Sequence, residues 1–304
     1  PSTNISTKDF ETHLQWLKSH NYQVLNLSDA IDFMKSDSVP RRTAVITIDD
    51  GYKSFYKNGL PLLVKYNMPA TLFINTETVG AADYMDWSEL KSTSNQNIEI
   101  GNHTHSHAYF LNQPATERYT NFVNDLEGSQ KTIEESLGIK PSVFAYPYGE
   151  FDEEMKTIVK ATGFKGAAAQ NSGVIDNTTD LFQLPRFPMS ESYAKMFEEK
   201  ALMQSLKVIS SSPIRAIVQK NNPKPTLNLT ISVKGLSTDQ MQCFVQGTEC
   251  NFKIIERTTS EIQLTLQATN SIANRRRTLY TLTAPDSLGN WHWYSHLWIN
   301  PSVK

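Results

Sequence analysis

Three short runs rich in β-branched and aromatic residues each end at a cluster of polar or turn-forming residues. Residues 44–48 stop at Asp-Asp-Gly, residues 97–100 stop at Gly-Asn, and residues 142–146 stop at Pro-Tyr-Gly. Helical patterns lie between these runs, and alternating strands and helices predict a mainly parallel sheet or barrel. Because the C-terminal ends of parallel strands lie at one face, we expect the residues after the three runs to meet in space.

The residues after the first two runs are of the types that hold a divalent metal. Asp49 and Asp50 are adjacent, and His103 and His107 are four residues apart. One helical turn would point both imidazole rings at the same ion, with His105 pointing elsewhere. At a strand end that turns through a glycine, one aspartate can be a ligand while the other stays free beside the bound water.

Simpler interpretations exist for each motif alone. An Asp-Asp pair at a strand end is most often a turn or a helix cap, and two histidines four residues apart also fit a surface helix. Their combination, with three of the 7 histidines inside residues 103–107, favours a metal site. Two nitrogen ligands and one carboxylate leave positions open for water and substrate, which is typical of a catalytic metal and of hydrolysis.

The chain resembles the polysaccharide deacetylases of carbohydrate esterase family 4, the NodB homology group. Residues 47–51 are similar to the family's Thr-Phe-Asp-Asp-Gly motif, residues 103–107 to its His-Ser/Thr-x-x-His motif, and residues 145–149 to its Arg-x-Pro-Tyr-Gly motif. The likeness extends over about residues 5–190. It implies an α/β fold, a distorted (β/α) barrel of about seven strands.

The resemblance also implies roles for individual residues. Asp49 would be the general base, and the backbone N–H of Tyr148, beside Pro147, would stabilise the oxyanion of acetamide hydrolysis. The products would be acetate and a free amine. Three residues would hold one divalent metal, with zinc as the first expectation and cobalt or another divalent ion as the alternatives: Asp50, His103 and His107.

Two departures from the family pattern affect the expected mechanism. Ala145 stands where most members have an arginine that pairs with the base, and Arg186 is the predicted substitute, although it also fits a surface position at a strand start. Met189 stands roughly where the family has a late histidine that protonates the leaving amine. Asp49, His105 or solvent would then carry this proton, and turnover could be slow.

The sequence pattern changes after about residue 205. Breaker-rich segments are followed by several stretches that alternate at period two, which predicts a β-sandwich of immunoglobulin-like kind. We therefore predict a barrel over residues 1–208 and an accessory sandwich over residues 209–304. The aromatic residues in 291–298 favour sandwich core over sugar stacking, whereas Trp87 fits a sugar contact and a packed helix start equally well.

Charge and cysteine content restrict the possible binding partners and cellular location of the protein. The formal net charge of -2 argues against nucleic-acid binding, and the basic run at residues 275–277 favours a solvated turn over a binding patch. No apolar segment is long enough to span a membrane. Cys243 and Cys250 fit either a cross-hairpin disulfide or free thiols. Because the chain begins at Pro1, we expect upstream residues, such as a signal peptide, to have been removed; the location would be secreted, periplasmic or cell-surface.

Three hypotheses for the function follow. The first is a metal-dependent hydrolase that removes N-acetyl groups from an N-acetylglucosamine polysaccharide, whether peptidoglycan, poly-N-acetylglucosamine or a chitin-type chain. The second is an esterase that removes O-acetyl groups with the same metal site. The third is a glycan-binding pseudoenzyme, which the two departures suggest. An acetylated polysaccharide is the expected partner in the first two cases.

Overall fold

The computed structural model describes residues 4–35, 42–214 and 216–303, and its N-terminal part is built on parallel strands. The strands there are β1 (Gln23–Leu25), β2 (Thr43–Val45), β3 (Thr47–Ile48), β4 (Ala70–Ile74), β5 (Ile98–Asn102), β6 (Val143–Ala145) and β7 (Gly166–Ala168). β1 pairs with β2, and β3 to β7 form a five-stranded sheet in sequence order. The Thr71 N–H donates to the Ile46 carbonyl and joins the two sheets. The expected distorted barrel is confirmed as a curled, incomplete one.

Helices follow most of the strands and cover the sheet. They are α1 (Thr7–Ser19), α2 (Leu27–Met34), α3 (Leu60–Tyr66), α4 (Trp87–Ser94), α5 (Arg118–Leu137), α6 (Glu153–Ala161) and α7 (Phe197–Leu202). Their ends follow local side-chain chemistry: the Ser6 and Asp152 side chains accept N–H bonds at the starts of α1 and α6, and Gly138 ends α5 in the left-handed conformation. Every residue of β4 is buried, as expected for a parallel strand covered on both faces.

The C-terminal part is all-β, as expected. Its strands are β8 (Gln204–Ser205), β9 (Val208–Ser212), β10 (Thr226–Ser232), β11 (Gln242–Val245), β12 (Cys250–Arg257), β13 (Glu261–Ala268), β14 (Arg277–Pro285) and β15 (Trp291–Ile299). They form two four-stranded sheets, ordered β12-β13-β10-β9 and β11-β14-β15-β8. β8 pairs with β15 in the second sheet, although it lies before the predicted start of the sandwich at residue 209. The exact boundary and the immunoglobulin-like topology stay predictions.

Cys243 and Cys250 form a disulfide. They do not pair across a hairpin, as the spacing suggested, because β11 and β12 belong to different sheets. The chain crosses from one sheet to the other between them, and both cysteines pack against the sandwich core. The disulfide therefore ties the two sheets together.

The last strand, β15, packs against both parts of the chain. Trp298 is 2% exposed and lies in the sandwich core, whereas Leu297 and Ile299 join the buried cluster beneath β6 and β7 of the barrel. This alternation follows from the opposite directions of successive side chains in a strand. Trp293 reaches the barrel as well, where its Nε1 donates to the Ser172 carbonyl at 3.1 Å.

The basic run at residues 275–277 is not a solvated turn, which corrects the sequence-based expectation. The Arg276 side chain is 10% exposed and pairs with Glu150, whose side chain is 3% exposed, with 2.6 Å between Nη2 and Oε2. The run therefore lies at the contact between sandwich and barrel. Within the described ranges, no helix has the length and apolar character needed to cross a membrane.

Candidate metal and catalytic site

The chain turns sharply after β3, and this turn presents two carboxylates together. Asp50 has φ +73° and Gly51 has φ +75°, so two consecutive residues occupy the left-handed region. Such a conformation ends the strand and replaces the alternating side-chain directions that would have separated Asp49 from Asp50. Both aspartates can then act in one site.

The two histidines after β5 converge through a loop rather than a helical turn. No helix forms over residues 103–107, where Thr104 and His107 have positive φ. Side chains hold this loop: the Asn102 Oδ1 accepts the Thr104 N–H at 2.8 Å, and the Thr104 Oγ1 accepts the His107 N–H at 3.1 Å. The expected helix was wrong because these short polar side chains compete for the backbone N–H groups.

Asp125 of α5 fixes the same loop from outside and was not predicted from the sequence. Its Oδ1 accepts the N–H groups of His105 at 2.7 Å and Ser106 at 3.0 Å. The His105 ring is turned to Thr76, with 2.8 Å between Nδ1 and Oγ1, so it points away from the other two rings as expected. Asp125 carries no local signal in the sequence, because an acidic residue on a helix is usually just solvated.

Asp50, His103 and His107 form a compact group whose geometry fits one metal ion. The separations are 3.1 Å between the two Nε2 atoms, 3.6 Å from the Asp50 Oδ1 to the His103 Nε2, and 3.4 Å from the same oxygen to the His107 Nε2. Ligands about 2.1 Å from a tetrahedral zinc ion lie about 3.4 Å from one another. The observed triangle therefore has the size that a shared ion requires.

The protonation states of the group suit a cation. The His103 Nδ1 lies 2.7 Å from the Ala145 carbonyl and donates to it, which leaves Nε2 free to be a ligand. Burial lowers the pKa of both His103 and His107, so the rings are neutral. Burial, and to a smaller extent the neighbouring Asp49 charge, raises the pKa of Asp50.

Asp49 is held separately by Arg186 in a two-point contact. The Arg186 Nη1 and Nη2 donate to the two carboxylate oxygens at 2.8 and 2.9 Å. Burial alone would raise the pKa of Asp49, but the Arg186 charge and its hydrogen bonds outweigh burial, and the pKa lies below its ordinary value. The Ala169 carbonyl accepts the Arg186 Nε–H at 2.8 Å and orients the guanidinium. The arginine predicted from the sequence thus lies against the predicted base.

The loop after β6 brings Tyr148 next to the histidines. Pro147–Gly149 form a 3₁₀ turn in which Pro147 is buried and Tyr148 has φ 58°. The Tyr148 ring meets the His107 ring edge-on, with centroids 4.5 Å apart, and lies flat against Tyr109 at 3.6 Å. Burial raises the pKa of Tyr148 to about 12, so its phenol stays neutral.

Trp87 and Met189 were also proposed from the sequence as substrate-side residues. Trp87 is the first residue of α4, beside the capping box of Asp86 and Glu89, and packs against the hydrophobic cluster around β4 and β5. Met189 is half-buried in the irregular segment that carries Arg186. Neither residue occurs among the described contacts of the candidate metal ligands Asp50, His103 and His107. Their contact with substrate stays a prediction.

Sequence comparison identifies a family and several relatives of this chain. The profile described as Polysaccharide deacetylase matches residues 36–167. The poly-beta-1,6-N-acetyl-D-glucosamine N-deacetylase of Staphylococcus aureus (strain MSSA476) is 30% identical over 199 residues, which cover 62% of this chain and 68% of that protein. The chain belongs to the polysaccharide deacetylase family. The resemblance drawn from the three motifs is thereby confirmed.

Two solved structures share the fold of this family member. The Streptococcus pyogenes deacetylase PplD, solved in complex with acetate, aligns with a TM-score of 0.59 at 20% identity and covers 65% of this chain and 87% of its own. IcaB from Ammonifex degensii aligns with a TM-score of 0.58 at 22% identity and covers 66% and 92%. At these identities the likeness establishes the barrel fold alone.

Proposed function

We propose that this polysaccharide deacetylase removes N-acetyl groups from a poly-N-acetylglucosamine chain with the help of one divalent metal, zinc in the first instance. The relative named above acts on a poly-beta-1,6-N-acetyl-D-glucosamine, and this linkage is the first substrate to test. The observation that carries the proposal is a ligand triangle of 3.1 to 3.6 Å beside a second aspartate that an arginine holds separately.

The ligand set suits zinc. Two neutral imidazole nitrogens and one carboxylate oxygen are typical zinc donors, and three protein ligands leave room for water and substrate. An ion held by Asp50, His103 and His107 would supply Lewis acidity, which polarises an acetyl carbonyl and acidifies a water at the site.

Asp49 is the group in this site suited to take a proton. Its lowered pKa keeps it ionised at neutral pH, and the Arg186 fork leaves each carboxylate oxygen with further acceptor capacity. Water loses a proton to Asp49 as its oxygen bonds to the acetyl carbon. The Tyr148 backbone N–H would then donate to the oxyanion.

The leaving amine also needs a proton. The sequence has no histidine between His107 and His292, and His105 is bonded to Thr76. We assign this step to Asp49, which returns its proton to the nitrogen as the C–N bond breaks, giving a free amine and acetic acid, which then ionises to acetate. One carboxyl group thus acts as base and then as acid.

The absence of the late histidine makes an O-acetyl esterase the main alternative function. An alkoxide leaving group depends less on a strong general acid than an amine does, so the same site would cleave esters more readily. A glycan-binding protein without turnover is the third alternative. Rates on matched amide and ester substrates separate all three functions.

The test is acetate release from β-1,6-linked N-acetylglucosamine oligomers, compared with β-1,4-linked oligomers and O-acetylated xylan oligomers. We expect the β-1,6 amide substrate to be preferred, activity to vanish with a chelator, and zinc or cobalt to restore it. Asp49→Asn should keep metal binding by calorimetry and lose turnover. A fully active Asp49→Asn enzyme would exclude Asp49 as the base, and faster ester than amide cleavage would favour the esterase.

We also propose that the protein acts outside the cytoplasm, as a secreted, periplasmic or cell-surface enzyme. The disulfide between Cys243 and Cys250 supports this location, because disulfides persist mainly in oxidising compartments. Localisation of a tagged protein by cell fractionation tests this, and recovery in the cytoplasmic fraction would count against it.

A further inference from the structure

Arg276 of the sandwich contacts the barrel, and every N–H group of its guanidinium donates a hydrogen bond. Its Nε and Nη2 donate to the two oxygens of Glu150 at 2.8 and 2.6 Å. Nη1 and Nη2 both donate to the Asn112 Oδ1 at 3.1 Å, and Nη1 also donates to the Val303 carbonyl at 2.7 Å. All five N–H groups of the side chain thus have an acceptor.

Two of these acceptors, Glu150 and Asn112, lie on different loops of the site. Glu150 directly follows the turn that carries Tyr148, in the loop after β6. Asn112 ends the short 3₁₀ helix that follows the histidine loop after β5. Arg276 therefore connects the loop of the metal-binding histidines to the loop of the proposed oxyanion donor.

A series of contacts between neighbouring side chains makes the same connection. The Arg276 Cζ lies 4.1 Å from the centre of the Tyr109 ring, Tyr109 stacks on Tyr148 at 3.6 Å, and Tyr148 meets His107 at 4.5 Å. Flat contact between a guanidinium and a ring is favourable. The series runs from the sandwich to a metal-ligand candidate without a gap.

Arg277 acts on the other side of the Tyr148 turn. Its Nη1 donates to the Tyr148 carbonyl at 2.6 Å and to the Gln170 Oε1 at 3.1 Å. Gln170 packs closely against Gly149: a Cβ added at Gly149 would lie 2.4 Å from the Gln170 Cβ, too close for any residue but glycine. Tyr148 has φ 58°, a value that residues with a Cβ rarely adopt, so contacts outside the turn must hold it.

We propose that Arg276 and Arg277 are positioning residues for deacetylation, through which the sandwich sets the Tyr148 turn relative to His107. The inference rests on the proposed function of Tyr148 as the oxyanion donor. It gives the sandwich a part in the reaction. Loss of either arginine is expected to lower the rate of the chemical step and to leave KM nearly unchanged.

The test compares kcat and KM for Arg277→Met and for the double variant Glu150→Gln/Arg276→Met. The double variant avoids leaving a buried carboxylate without its partner, which would itself destabilise the protein. We expect kcat to fall by about 10- to 100-fold with KM within about twofold, because misplacement by about 1 Å can cost that much. Arg276→Lys, which keeps the charge but has fewer donors, should lose less. Arg257→Ala, an exposed arginine of β12, is the matched control and should equal the wild type.

The outcomes separate this inference from the proposed function. Unchanged kcat in folded Arg277→Met and double variants would overturn it, as would a rise in KM with constant kcat. If the double variant does not fold, Arg277→Met alone decides.

If the wild type releases no acetate, hydrogen exchange decides instead. The Gly149 and Glu150 N–H groups donate to the Tyr146 and Pro147 carbonyls. Faster hydrogen exchange of these two groups in the arginine variants than in the wild type supports the positioning role, and unchanged exchange refutes it.

Discussion

Replacing Arg186 by methionine should shift the pH dependence of the enzyme, because this arginine determines the charge of Asp49. Methionine keeps much of the side-chain volume and removes the guanidinium. Burial then acts on Asp49 unopposed by Arg186 and raises its pKa above the ordinary value of 3.8. A smaller fraction of the base is ionised in mildly acidic solution.

The size of the shift follows from the contact. Unit charges about 4 Å apart attract by about 4 kcal/mol at an effective dielectric constant of about 20, which is an upper bound of about 3 pKa units. The Arg186 and Asp49 side chains are 16% and 22% exposed, so solvent screens part of this attraction. We expect a shift of about 1 to 2 units relative to the wild type.

The assay is kcat/KM for acetate release as a function of pH, which reports ionisations of the free enzyme. Between about pH 8 and about pH 5, the variant should lose up to about sevenfold more of its own maximal rate than the wild type does. Normalising each profile to its own maximum removes any general loss of activity.

Arg118→Met is the matched control, because Arg118 pairs with Asp152 at similar exposure, 19% and 17%. Its profile should follow the wild type. If the Arg186→Met profile also follows the wild type, Arg186 does not control the ionisation of the base, and the assignment of the pair is wrong.

Two further predictions concern metal affinity and stability. Asp125→Ala should weaken zinc binding by about tenfold in calorimetry, because the histidine loop loses the hydrogen bonds that Asp125 accepts from it. Glu127→Ala, on the exposed face of the same helix, is the control and should bind zinc like the wild type. Equal affinities of the two variants would exclude a role for Asp125. Replacing Cys243 and Cys250 together by serine should lower the free energy of unfolding by about 2 kcal/mol in urea, as expected for a disulfide with a sequence separation of 7, and an unchanged midpoint and slope would contradict this.

The sequence predicted the parts of the site that depend on strand ends. Parallel strands bring their C-terminal ends to one edge, so Asp50 and His103 could be placed together from the positions of the runs alone. Arg186 was predicted as well, because the resembled family has an arginine beside the base and this chain has Ala145 at that motif position. The helical turn was wrong, since the spacing of His103 and His107 fits both a helix and a loop, and Asn102 decides between them through its hydrogen bond.

The contact of Arg276 with Glu150 could not be predicted from composition. The two residues are 126 positions apart, and an isolated cluster of arginines is usually solvated. The packing of β14 and β15 on the barrel brings them together. Sequence patterns report which face of an element is apolar, but they do not report which distant surface covers that face.

Through that packing, the sandwich contributes residues to the core and to a buried ion pair of the barrel. Leu297 is 7% exposed and Ile299 is fully buried, and both fill the cluster beneath β6 and β7. Without the sandwich, the barrel would expose apolar surface there, and Glu150 would be left as a carboxylate without its arginine. Both effects act on β6 and the turn that follows it, which carries Tyr148. The stability of the barrel and the geometry of its site therefore depend on the same contact.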